Sequence, residues 1–145
     1  MSRSGYSDDL DQWSLIRWRG QVASSIRGKR GQAFLREMLA ALDAMPEKRL
    51  IAFELESDDG AVCALGCIGR ARGIPLPKVA ANEWDLEDAA ERQRQELADA
   101  LGIAHQLVAE IEFMNDDSRP FNEAPEHRWQ RMRNWVVAQI IPVGQ

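Results

Sequence analysis

Phe34, Leu35, Met38, Leu39, Leu42 and Met45 recur at steps of one and three, so on an α-helix they form a single apolar stripe. Pro46 closes the run, because the residue before a proline is pushed out of the α region. A helix with so broad an apolar face is stable only when that face is covered. The rest of the chain offers mostly helices to cover it.

Residues 10–27 repeat Leu15, Trp18, Val22 and Ile26 at helical spacing, with Asp8, Asp9 and Asp11 placed to cap the start and oppose its dipole. The stretch from Gly28 through Lys29 and Arg30 to Gly31 is expected to break the chain before a second helix over residues 32–44. Asp85 and Asp88 open a helix over 86–101, with Leu86, Ala90, Leu97 and Leu101 inward, and Gly102 interrupts it. The pattern resumes over 103–114 through Leu107, Val108 and Ile111. Pro125 and Glu126 start a last helix reaching to about residue 141, with Trp129, Met132, Val136 and Ile140 inward and Arg128 and Arg131 pointing elsewhere.

Residues 50–67 admit two readings. Two short strands around a turn at 57–60 make a hairpin. Alternatively a segment ends near Glu56 and a helix occupies 62–72, burying Val62, Leu65, Ile68, Cys63 and Cys67, with Gly66 and Gly69 allowing close packing. Each glycine lowers helix propensity by about 1 kcal/mol, so propensity does not decide between the two; we prefer the helix over 62–72. Gly73 and Pro75 would end it. The predicted fold is mainly α: one domain over 1–145, five to six short helices around one core, residues 1–10 loose, with room for one short β-hairpin near 50–65. The core should contain Leu35, Met38, Leu42, Leu65, Leu107, Ile111, Trp129, Met132 and Val136.

An apolar content of 45% with five Trp excludes a disordered chain. No apolar run reaches the roughly 20 residues of a membrane-spanning helix. The first nine residues have no apolar signal region, and two cysteines build no disulfide framework, so the expected compartment is the reducing cytoplasm.

The net charge of −5 is unevenly spread. Arg17, Arg19, Arg27, Lys29, Arg30 and Arg36 fall in a stretch with no acidic residue, whereas residues 79–118 hold eleven acidic side chains against Arg92 and Arg94. Such asymmetry steers a charged partner, and it also arises on any solvated helix face. The basic run could contact phosphates, with Trp13 or Trp18 stacking on a base, although a pI near 5.1 is low for a dedicated nucleic-acid domain. Trp18 also lies on the apolar stripe, where the core is its plainer place. Glu83, Trp84, Glu87 and Glu91 form an acidic segment with an aromatic beside it, and Tyr6 is a second aromatic in a polar context. That segment could occupy a basic groove on a partner, or simply keep one helix face wet.

Catalytic chemistry finds little support. Ser24 and Ser25 have no local base, and the polar rim of a helix is the ordinary place for His105 and His127. The 28–31 stretch is no phosphate loop, because Ala23 and Arg30 stand where Gly and Ser or Thr are required. Cys63 and Cys67, four apart on one helix face, could give two thiolates to a metal with His105 and His127, but buried, reduced, metal-free cysteines are the default. No catalytic residue, cofactor or metal is therefore expected.

Seven blocks carry a resemblance: MSRSGYSDD at 1–9, RGKRGQAFLREML at 27–39, PEKRLI at 46–51, GAVCALG at 60–66, GIAH at 102–105, NDD at 115–117 and PEHRW at 125–129, followed by Met132 and Trp135. On these the chain resembles a group of small uncharacterised proteins of tailed bacteriophages and prophages. The resemblance implies a setting inside a bacterial host cell and brings no catalytic residue. Accessory phage proteins often act by binding a host or defence protein, as anti-CRISPR proteins do. The expected function is thus a non-enzymatic phage accessory protein that binds a host macromolecule and inhibits a bacterial defence complex. The residues expected to meet the partner are Arg27, Lys29, Arg30, Glu83, Trp84, Glu87 and Glu91; a homodimer is compatible with this. The alternatives are a nucleic-acid-binding regulator using residues 17–36, and a small enzyme or metal protein around Cys63, Cys67 and His105.

Overall fold

Six helices follow one another along the chain in the computed structural model, which describes residues 12–77, 86–117 and 122–143: α1 (Gln12–Arg27), α2 (Lys29–Ala44), α3 (Ala64–Ala71), α4 (Leu86–Leu101), α5 (His105–Asp116) and α6 (Pro125–Gln139). The mainly α architecture expected from the sequence is the one observed. Tyr6, Asp8, Asp9, Asp11 and Asp85, and the loose segment expected at 1–10, lie outside the described residues. No described helix is long and apolar enough to cross a membrane.

The short α3 sits at the centre. Ala64, Leu65, Gly66, Cys67, Ile68 and Gly69 are all buried, so the helix needs neighbours on every side until Arg70 and Ala71 reach solvent at its end. It packs against α2 and α5, while α2 also lies along α1 and α6, and α5 along α1 and α4. Most of the α2 stripe is used: Phe34, Leu35, Met38 and Leu42 are buried together with Leu65, Leu107, Ile111, Trp129, Met132 and Val136, while Leu39 and Met45 pack half-buried at its edge. All nine expected core residues are in this cluster.

Three sequence expectations need correction. Only Gly28 separates α1 from α2; Lys29, Arg30 and Gly31 already form the first turn of α2. Gly31 is there because the chain doubles back so tightly that a Cβ at this position would fall 1.8 Å from the Ser25 carbonyl oxygen. Next, residues 50–63 form no strand among the described residues. A single antiparallel bridge joins Glu56 to Val62 across the 57–60 turn, and α3 begins immediately afterwards at Ala64. Both readings of this stretch were thus partly right, but the hairpin shrinks to one bridge because the chain turns into α3 after it. Finally, Arg128 points inward and is buried, since its Nε and Nη1 donate to the carbonyls of Asn115 and Leu50, each at 3.1 Å.

Buried polar side chains fasten the helix ends. Asn115 Oδ1 accepts from the Ala64 N–H at 3.1 Å while its Nδ2 donates to the Ile51 carbonyl at 2.9 Å. Gln32 donates to the carbonyls of Ile26 (2.8 Å) and Gln139 (3.0 Å) and accepts from the Ile141 N–H (2.8 Å). One amide therefore ties the end of α1 to the end of α6. Trp129 Nε1 donates to the Leu42 carbonyl and satisfies the C-terminus of α2.

Candidate functional site

α1 commits little of its surface to the core. Val22 is its only buried residue; Leu15, Trp18 and Ile26 of the expected stripe are half-buried. The opposite face is open. Trp13, Arg17, Gly20, Ser24 and Arg27 follow at steps of four, three, four and three, so they share one side of the helix, and all are exposed. Trp13 is 74% exposed and Ile16, beside it, is 52% exposed. The face runs into the turn where Arg27, Lys29 and Arg30 are all exposed, next to a cavity of about 350 Å³ lined by Ser24, Ser25, Gly28, Lys29, Arg30 and Ala104. Arg27, Lys29 and Arg30, the three basic residues singled out from the sequence, are thus all exposed around Gly28, where α1 meets α2.

What distinguishes these cations is the lack of counter-charges. Elsewhere arginines are neutralised: Arg72 donates to both Glu37 oxygens, Arg133 to both Asp43 oxygens, and Arg131 to both Glu123 oxygens. Arg49 pairs with Glu47 and Arg70 with Glu56. Among the described residues, no carboxylate lies within ion-pairing distance of Arg17, Arg19, Arg27, Lys29 or Arg30. Arg17 touches the Ser14 hydroxyl at 3.5 Å, and Arg36 donates to the Ile141 carbonyl at 2.6 Å.

The acidic candidates fare differently. Glu83 and Trp84 lie outside the described residues. Glu87 is exposed in the first turn of α4, where a carboxylate complements the helix dipole. Glu91 is exposed but paired within the molecule, accepting from Arg94 at 2.5 Å and facing His105 Nε2 at 2.7 Å. Burial works against its ionisation, but the Arg94 hydrogen bond and the nearby positive charge prevail and lower its pKa. Arg94, grouped by sequence with the solvated charges, is buried between α4 and α5, where it also meets Glu112 at 3.5 Å. The edge of the Trp18 ring system meets His105 in a T-shaped contact.

Cys63 and Cys67 are buried and form no disulfide, and burial pushes the Cys67 thiol up to about 11. Cys63 is committed as the N-cap of α3, its Sγ accepting from the Gly66 N–H. Among the described residues, no three His, Cys, Asp or Glu side chains are grouped to hold a metal ion.

Two features escaped sequence reasoning. Phe53 is 73% exposed with a φ of +71°, its N–H donating to Asp116 at 2.9 Å; only the turn geometry puts an aromatic residue in the left-handed region. Glu123 is the second. Its carboxylate accepts from Arg131 at 2.7 and 2.9 Å and from His127 at 2.6 Å, with Arg128 at 3.3 Å. The Arg131 hydrogen bonds, supported by His127 and Arg128, hold its pKa at about 2 against an ordinary 4.5. A carboxylate with a lowered folded-state pKa contributes stability at neutral pH that is lost as pH falls from about 4.5 towards about 2. Glu123→Gln should therefore cost about 1.5–3 kcal/mol at pH 7 in urea unfolding and flatten the acid limb of the stability curve. An unchanged acid limb would show that other carboxylates govern it.

Comparison with protein families, curated proteins and solved structures gives no match.

Proposed function

We propose that the protein is a non-catalytic phage accessory factor that binds a negatively charged host macromolecule through the basic face of α1 and the α1–α2 turn, and so inhibits a bacterial defence complex. One observation carries this reading: Arg17, Arg19, Arg27, Lys29 and Arg30 are exposed and unneutralised among the described residues, in a chain whose other arginines are largely paired. Like charges gathered on one surface repel one another and add nothing to the fold. An approaching anion gains from all of them at once. Beyond about 10 Å the acidic remainder of the molecule is screened at physiological salt, so the local sign governs docking despite the net charge of −5. The phage setting rests on the sequence resemblance alone.

The test is reversal of the turn, Arg27→Glu with Lys29→Glu and Arg30→Glu, in the full-length protein. Glu at 29 and 30 favours the dipole at the start of α2, whereas Arg27→Glu loses a favourable cation in the last turn of α1; these effects of about 0.3–1 kcal/mol each oppose one another, so thermal unfolding should be nearly unaltered. Host components captured by the wild type from bacterial lysate should be lost, mainly through slower association. A triple variant that captures the same components equally well would show that the turn is only a solvated loop.

A further inference from the structure

Resting on the basic-face reading, we infer that the anionic partner met by α1 is a single-stranded nucleic acid, its backbone following Arg17, Arg27, Lys29 and Arg30 and one base stacked on Trp13. Charge alone would suit an acidic protein equally well. The added observation is the position of Trp13. It is 74% exposed and lies on the same helix face as Arg17 and Arg27, so most of its large apolar surface is left in water. Exposed indoles are costly in water, and an indole beside guanidinium groups matches the repeating chemistry of an unpaired strand, a phosphate and then a flat base.

The same face stays open further along α1. Gly20 stands two turns along on the same face, and a Cβ built there would meet nothing within 4 Å. No side chain at that position stops a base from lying flat along the helix, and Ile16 extends the apolar surface on one side. From Trp13 to Arg27 the helix rises about 21 Å, room for several nucleotides. At the Arg27 end of α1, the cavity lined in part by Ser24, Ser25, Lys29 and Arg30 adds two hydroxyls and two cations. A duplex keeps its bases stacked inside and offers no free face to Trp13, so the unpaired strand is favoured over it.

Titration of the full-length protein with a fluorescein-labelled 20-nucleotide oligothymidine, with the corresponding duplex and with polyglutamate separates the readings. Oligothymidine should bind, with affinity falling steeply as salt rises, and Trp13→Ala should weaken that binding roughly 5- to 150-fold while leaving thermal unfolding unchanged. The triple reversal at Arg27, Lys29 and Arg30 should lower the slope of log affinity against log salt by about 2. Equal binding of polyglutamate, or indifference of oligothymidine binding to Trp13→Ala, would overturn the nucleic-acid inference while leaving the basic face as a binding surface for an acidic protein. Tighter binding of the duplex than of the single strand would overturn it too. Failure of all three polyanions to bind would remove the basic-face reading as well.

Discussion

Gly66→Ala is expected to destabilise the protein by at least about 3 kcal/mol, more than any exposed substitution. A Cβ at this position would stand 2.1 Å from the Leu55 carbonyl oxygen and 3.0 Å from its carbon. Both are backbone atoms, so no side chain can swing aside to make room. The Leu55 carbonyl is itself fixed, since it accepts the Cys63 N–H at 3.1 Å just before α3 starts. Relief therefore requires α3 to move away from the 50–63 segment, and α3 is buried between α2 and α5. The urea midpoint reads the effect, and a loss below 1 kcal/mol would mean that this contact is loose. Gly20→Ala is the matched comparison. Its Cβ would meet open space in the middle of α1, so the intrinsic preference of alanine should raise stability by about 0.5–1 kcal/mol.

Leu35→Ala is expected to cost about 2–5 kcal/mol. Leu35 is fully buried on α2, the helix that touches α1, α3 and α6, so the cavity left behind is walled by several elements and closes only partly. Removal of the transferred methyl groups and the residual void both contribute. Leu39, which the sequence places on the same stripe, is only half-buried, and Leu39→Ala should cost visibly less. Equal losses at the two positions would show that α2 is rotated from the orientation described.

The α2 stripe was legible because its spacing and its closing proline are both local signals. The same holds for α6, where Pro125 at the first turn and Trp129, Met132 and Val136 inward were read directly. The failures are non-local. Nothing near Arg128 announces that the carbonyls of Leu50 and Asn115 will converge on its guanidinium, because those groups come from other parts of the chain. Arg94 looked like another solvated charge until α5 brought Glu112 to it. Gly31 read as a helix breaker because propensity carries no information on how closely two helices approach. The basic turn itself was legible as composition, since a stretch of six cations without an acid is visible in any register. Its lack of counter-charges was not, because only the fold decides whether a distant carboxylate reaches a cation, as Glu37 reaches Arg72.

Retention of the full-length protein on a sulfated polysaccharide matrix at neutral pH tests the basic face most directly, because the net charge of −5 predicts the opposite behaviour. If the unneutralised cations of α1 and the α1–α2 turn govern encounter with an anion, the wild type is retained at low salt and released as salt rises, while the protein carrying Arg27→Glu, Lys29→Glu and Arg30→Glu passes straight through. A wild type that passes through, or a triple variant retained as well as the wild type, would contradict a binding role for this face.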